Sequence, residues 1–434
     1  MNFHLRRLSK LVEDDLTLDR LQYEIQRIAF YSVVGEHLFK EITRVYRVYL
    51  FRQPTPSEVI SLLIQLHEHF GSIKATRQAI AEGDIRTHLG IRPFKLEMDI
   101  TNQCNLRCVM CYFSDERVYK RKRVDISVTE FARIAEQIFP MCERISLSIG
   151  TEPLLHQRFE ELLSITARYK VPMVYINTNG ILLSEKRISA VLHSALTHIS
   201  ISIDGATAPT YERIRVGASF DKLLDNIKAL QTAKKLSGKN LPHLTFNFVL
   251  MRSNIRELPA MVQLAHDLGV EGIAATHVVR YENTQTLDES LEEDQELCDR
   301  MMDDARELAS RLGIGVNFPP NFKVEHETSS AQFSRSYFDL QTAEKTTSRC
   351  CPFPWHFIGI DSYGYVVPCG WWYQPEEPMG NLKTDSFETI WNKPHYQALR
   401  LEHQSGRQRT TCRTCPAAGM GGVQNSMAFQ VKKL

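Results

Sequence analysis

The sequence predicts an α/β protein built on a parallel barrel of six β/α units, flanked by a helix-rich N-terminal segment and a cysteine-bearing C-terminal one. Three observations predict it. At 434 residues the chain is long enough for two or three domains of ordinary size. Apolar runs of strand length fall at about 96–100, 145–149, 173–177, 198–203, 244–250 and 272–277, and helix signals separate them. A cysteine trio stands directly after the first run.

The first run, Leu96-Glu97-Met98-Asp99-Ile100, alternates apolar and polar residues as a strand requires. Ser127-Val128-Thr129-Glu130 has capping-box spacing and predicts the helix that leads to the second run. That run ends in Ser148-Ile149-Gly150-Thr151-Glu152-Pro153, and the third ends in Ile176-Asn177-Thr178-Asn179-Gly180. The fourth ends in Ser200-Ile201-Ser202-Ile203-Asp204-Gly205. The fifth, Phe246-Asn247-Phe248-Val249-Leu250, puts Asn247 on the face that lines a barrel. Asn254-Ile255-Arg256-Glu257 and Ser290-Leu291-Glu292-Glu293 repeat the capping-box spacing, the latter opening a helix over 291–311, while Gly269 and Gly313 mark helix ends. Active sites of β/α barrels form at the C-terminal ends of the strands, so the residues that follow each run are the candidates for chemistry.

Composition removes several classes. With 43% hydrophobic and 24% charged residues the chain is an ordinary globular sequence. The 52 Lys and Arg against 51 Asp and Glu leave a net charge of +1, without the basic footprint of a dedicated nucleic-acid binder. No apolar run approaches the ~18–20 residues of a membrane span, and MNFHLRRLSKLVEDDL has a basic start without a signal peptide's apolar core. The expected compartment is the cytoplasm. Ten cysteines in a reducing compartment point to metal or redox chemistry rather than disulfides.

Cys104, Cys108 and Cys111, in TNQCNLRCVMCYFS, place three thiolates on one short loop at C-x3-C-x2-C spacing. Thiolates hold iron–sulfur clusters, and three of them leave one iron of a four-iron cluster open. Zinc is the alternative, although structural zinc is closed by four ligands and this loop has no fourth Cys or His. In this position after a first strand, the trio resembles the radical S-adenosylmethionine (radical SAM) superfamily, whose fold is a partial (β/α)6 TIM-like barrel. Met110 departs from the aromatic residue common before the third cysteine.

The resemblance implies that S-adenosylmethionine chelates the open iron, with Tyr112 beside the cluster. Gly150, Thr151 and Glu152 resemble the Gly-Gly-Glu-Pro element that holds its amino group, with Thr151 in place of the second glycine. Asn177 and Asn179 resemble the ribose-side loop. Ser202, Asp204 and, after Tyr211-Glu212-Arg213-Ile214, Arg215 resemble the group that binds methionine carboxylate and ribose. Asn247 is a further candidate for S-adenosylmethionine or substrate. Arg252, His277 and Arg280 are substrate candidates from their places at strand ends.

Residues 350–415 carry the second constellation. Cys351 and Cys369, with a Gly364-x4-Cys369 spacing, are followed by the C-x2-C pair Cys412 and Cys415, and four thiolates close one metal site. Zinc fits four cysteines as well. The run Cys351-Pro352-Phe353-Pro354-Trp355, then Met379-Gly380-Asn381-Leu382 and Ile390-Trp391-Asn392, resembles the SPASM region of the same superfamily. Without cysteines beyond Cys415 it resembles the shorter twitch form, which implies one auxiliary 4Fe–4S cluster. Cys350 competes with Cys351 as ligand. Cys142 and Cys298 read as buried thiols, and Trp371, Trp372 and Tyr373 as packing residues.

The expected domains are therefore 1–92, helical; 93–320, the radical SAM barrel; and 321–434, the twitch/SPASM segment. Part of the first weakly resembles a small helical domain that accompanies glycan-modifying enzymes, and it lacks the three strands of a peptide-recognition winged helix. The resemblance implies reductive cleavage of S-adenosylmethionine to a 5′-deoxyadenosyl radical, an oxidoreductase-type reaction, and flavodoxin or ferredoxin as electron donor. The expected substrate is sugar-like or another small polar molecule, undergoing dehydrogenation or epimerisation. The alternatives are a maturase that oxidises or crosslinks a peptide, and a non-catalytic iron–sulfur or zinc protein.

Overall fold

The computed structural model describes residues 94–279, 288–322, 353–369 and 378–405, together with 407, 409 and 412. The chain forms two compact units: Phe94 and residues 140–143 go with the N-terminal segment, and residues 95–139 and 144–434 make the other. The expected helical domain 1–92 lies outside the described residues, as do Arg280, Cys350, Cys351, Cys415 and the aromatic triplet 371–373.

Seven strands run in chain order across one sheet: β1 (Phe94–Met98), β2 (Cys142–Ser146), β3 (Met173–Thr178), β4 (His198–Ser202), β5 (His243–Leu250), β6 (Gly272–His277) and β7 (Gly315–Asn317). Pairings from β2 through β7 are parallel. In β5 burial alternates: Leu244, Phe246, Phe248 and Leu250 are buried, while Thr245, Asn247 and Val249 between them are half-buried on the other face.

Between the strands lie α1 (Val128–Ile138), α2 (Phe159–Ala167), α3 (Glu185–Leu192), α4 (Ala208–Ile214), α5 (Phe220–Leu236), α6 (Leu258–Asp267) and α7 (Gln295–Leu312). Ser127 and Glu130 form the expected capping box of α1, which buries Phe131, Ile134, Ala135 and Ile138 along one stripe. Gly269 and Gly313 follow α6 and α7 at φ of 65° and 70°, where a side chain would be strained.

The other two expected capping boxes do not form. Asn254 turns inward, its Nδ2 donating to the carbonyls of Asp204 and Val249 and its Oδ1 accepting from Met251 N. Glu257 caps a different helix, α4, by accepting from Ala206 N and Thr207 N. Helix α7 starts at Gln295 rather than 291, because Ser290 Oγ accepts from Glu292 N in a local turn. Strand β2 stops at Ser146 rather than 149, because the amides of Ile149 and Gly150 turn to the Asp99 carboxylate instead of to a neighbouring strand.

The C-terminal segment extends the same sheet. β8 (Phe357–Ile360) pairs parallel with β1, from Lys95 opposite Phe357 to Met98 opposite Ile360. β9 (Tyr365–Val367) and β10 (Gly380–Asn381) follow as antiparallel neighbours. Gly364, at φ 88°, turns β8 into β9. α8 (Phe387–Trp391) packs so close to β10 that a Cβ on Gly380 would sit 2.8 Å from Ile390 Cγ1. α9 (Pro394–Gln404) follows it. Among the described residues, no helix is long and apolar enough to cross a membrane.

Candidate active site

The cysteine loop leaves β1 and crosses the C-terminal ends of the strands. Its backbone is stitched to the end of α4 on both sides of Cys108: Arg107 N donates to Val216 O, and Val109 N to Ile214 O, each at 2.9 Å. The preceding turn is pinned from outside, where Asn102 exchanges backbone and side-chain bonds with Val124 and Lys122. Cys104 Sγ accepts from Leu106 N, and Cys111 Sγ from Phe113 N at the start of a short 3-10 turn.

All three sulfurs belong to residues lining one cavity of about 300 Å³. Burial pushes the Cys104 and Cys111 thiols up to about 12, and burial raises Cys108 as well despite Arg215 beside it. Thiolates in such a place need a cation beside them to stay ionised.

Across the cavity stands Glu152, 2% exposed. Its Oε1 accepts from Leu154 N at 3.1 Å and Thr178 Oγ1 at 2.7 Å, and its Oε2 from Asn179 N at 2.8 Å. Oε2 therefore keeps one lone pair for a ligand ammonium. Burial raises the Glu152 carboxyl to about 6, against the pull of those bonds and of Arg215.

Tyr112 packs closely on Gly150: its hydroxyl donates to Gly150 O at 3.2 Å, and a Cβ on Gly150 would lie 2.6 Å from that hydroxyl, so the ring would have to shift. Thr151 takes the place of the second glycine because it has a partner, its Oγ1 donating to Asp99 Oδ1 at 2.7 Å. Asn179 Nδ2 donates to Asn105 Oδ1 at 2.9 Å, which joins the third strand's loop to the cysteine loop. Met110 lines the cavity and packs against the cluster of Ile214, Met251 and Val278.

Tyr112, Gly150, Thr151, Glu152, Asn177, Asn179, Ser202, Arg215 and His277 all line this cavity. Asp204 and Asn247 stand one contact behind it. Asp204 is fully buried and pairs with Arg215, and Asn247 Nδ2 reaches Asn177 Oδ1 at 3.4 Å. Arg252 is elsewhere, held at the surface by Asp294 and Glu293. Cys142 and Cys298 are fully buried and do not line the cavity. Cys369, just past β9, and Cys412 are half-buried.

Two residues that the sequence reading passed over organise the site. Asp99, fully buried, accepts through one oxygen from Ile149 N, Gly150 N and Thr151 Oγ1 and so shapes the loop that carries Glu152. Its sequence signal is a carboxylate at the end of the first strand, directly before the cysteine loop. Asn105 has none beyond its place inside the trio.

The sequence profile of the Radical SAM superfamily matches residues 98–265, and that of the SPASM iron-sulfur cluster-binding domain matches 350–416. The chain belongs to the radical SAM superfamily. It is an enzyme, and its cofactors are S-adenosylmethionine and 4Fe–4S clusters. The residues described fit these groups: three thiols, an acidic group with a spare lone pair and a glycine closely packed by Tyr112 face one cavity.

Among relatives, a PqqA peptide cyclase of Bradyrhizobium diazoefficiens is 25% identical over 334 residues, covering 74% of this chain and 78% of the relative. An AdoMet-dependent heme synthase of Methanosarcina barkeri is 25% identical over 316 residues, covering 71% and 85%. The fold is similar to that of Streptococcus suis SuiB bound to the precursor peptide SuiA, with a TM-score of 0.56 at 16% identity over 76% of this chain and 71% of that one.

Proposed function

We propose that this radical SAM enzyme acts on a peptide, removing hydrogen from it in an oxidation or crosslinking reaction. The observation that carries this reading is the relationship to PqqA peptide cyclases over three quarters of the chain. It reverses the order of preference from the sequence alone, which put a sugar-like or small polar substrate first. That order rested on what residues 1–92 do not resemble, whereas the relationship runs through most of the chain.

In this reading Cys104, Cys108 and Cys111 hold the cluster with the open iron, and Cys351, Cys369, Cys412 and Cys415 hold the auxiliary one. Bound together, the first cluster and S-adenosylmethionine supply a 5′-deoxyadenosyl radical that takes a substrate hydrogen. Glu152 Oε2 accepts the ammonium of S-adenosylmethionine. Tyr112 packed on Gly150 walls the cavity, and Asn177, Asn179 and Ser202 offer polar groups to the ribose and carboxylate. Met110, Val249 and His277 line the remaining wall, where substrate enters. A flavodoxin or ferredoxin supplies electrons. The segments 1–92, 93–320 and 321–434 correspond to an accessory unit, the radical-generating barrel and the auxiliary-cluster region.

The test is turnover by anaerobically reconstituted enzyme with S-adenosylmethionine and dithionite, offered either precursor peptides encoded near its gene or aminocyclitols and sugars. Loss of paired hydrogens from a peptide's mass, with 5′-deoxyadenosine formed in step, supports the reading. Stimulation by the sugars alone overturns it.

A further inference from the structure

The guanidinium of Arg215 is already engaged at both terminal nitrogens. Nη2 lies 2.6 Å from Asp204 Oδ2, and Nη1 donates to Cys108 Sγ at 3.8 Å. Arg215 and Cys108 are each 7% exposed and Asp204 is fully buried. The arrangement is built into the backbone, because the paired bonds from Arg107 and Val109 to Val216 and Ile214 set Cys108 and Arg215 side by side. Asp204 is fixed in turn, its Oδ1 accepting from Val249 N at 2.7 Å on β5.

We propose that Asp204 and Arg215 act on Cys108 to set the reduction potential of the radical-generating cluster, a role distinct from holding S-adenosylmethionine. The proposal rests on Cys104, Cys108 and Cys111 as that cluster's ligands. Reduction adds one electron to the cluster, so a hydrogen bond to a ligating sulfur and a buried positive charge beside it stabilise the reduced form. Burial strengthens both effects. Left alone, Arg215 would raise the potential of a cluster whose task is to reduce S-adenosylmethionine. Asp204, on the other prong of the same fork, offsets that charge while keeping the N–H to sulfur contact in place.

The two partners must therefore move the potential in opposite directions. Asp204→Asn keeps an oxygen for Val249 N but removes the opposing charge, and the potential rises. Arg215→Gln removes the cation and the donor to sulfur, and the potential falls; Arg215→Lys, without the fork, falls by less. Each of the first two shifts should amount to at least a tenfold change in the reduction equilibrium, about 59 mV for one electron. The measurement is a redox titration followed by electron paramagnetic resonance on the reconstituted full chain. The signal to follow is the one that S-adenosylmethionine perturbs.

Shifts of the same sign, or weaker S-adenosylmethionine binding at an unmoved potential, overturn the proposal and leave Arg215 a ligand-binding residue. If Arg215→Gln loses its cluster, the rise in Asp204→Asn and the smaller fall in Arg215→Lys decide. A wild type with iron but no such signal removes the reading of the trio itself, and this inference with it.

Discussion

Glu152 shows how a short motif becomes a working group only in three dimensions. The sequence places a carboxylate after a glycine, but the bonds from Leu154, Thr178 and Asn179 orient it and leave one lone pair open. Burial holds its carboxyl at about 6, so it gains a proton as pH falls through that value. An ammonium ligand favours the ionised form and lowers this value on binding. The affinity for S-adenosylmethionine should therefore fall between pH 7.5 and pH 6. In Glu152→Gln it should be roughly 10- to 100-fold weaker and flat over this window, since a hydrogen bond to a charged group contributes about 1.5–3 kcal/mol. Equilibrium dialysis with labelled S-adenosylmethionine measures both, and an unchanged slope in the variant would place the titrating group elsewhere. The cysteine trio and Glu152 were legible because each motif is local in the chain. Asp99 was not, because its function joins the end of the first strand to residues fifty positions later.

At the scale of elements, α4 is a helix of seven residues whose N-cap Thr207 makes no side-chain capping bond to its own first turn. It holds its place through Glu257, which accepts from Ala206 N, Thr207 N, Thr207 Oγ1 and Thr210 Oγ1 across the barrel rim. Capping-box spacing at 254–257 was real chemistry addressed to another helix, a distinction that spacing alone does not carry. Gly205 is the second constraint, since a Cβ there would meet Tyr211 N at 2.6 Å, and backbone cannot step aside as a side-chain tip can. Gly205→Ala should push α4 outward and cost about 1–3 kcal/mol, the usual range for overpacking. Because Arg215 follows α4 directly, the displacement should also loosen its contacts with Asp204 and Cys108. Thermal unfolding and S-adenosylmethionine binding should decline together. A variant that is less stable but binds normally would show that α4 and the cysteine loop are independent.

For the molecule as a whole, the six strand runs were readable as apolar stretches of strand length separated by helix signals, whereas the rest of the sheet was hidden for a physical reason. β7 is three residues long and β10 two, below any useful period. β8 joins β1 across about 260 residues of chain, a pairing with no local signal. That pairing makes the described part of the C-terminal segment a continuation of the barrel sheet, so the two proposed metal sites would share a scaffold. Two separate four-iron sites imply about eight irons per reconstituted chain. Replacing Cys104, Cys108 and Cys111 by alanine should leave about four and abolish cleavage of S-adenosylmethionine, because the proposed ligands of the auxiliary cluster lie outside the cysteine loop. Replacing Cys369 and Cys412 should also leave about four, but with cleavage retained and substrate oxidation lost. Iron and sulfide analysis beside a dithionite-driven cleavage assay separates these cases. Loss of all iron from either variant would mean that one site assembles only when the other is filled, and zinc in the second variant's missing position in the wild type would make the C-terminal site structural.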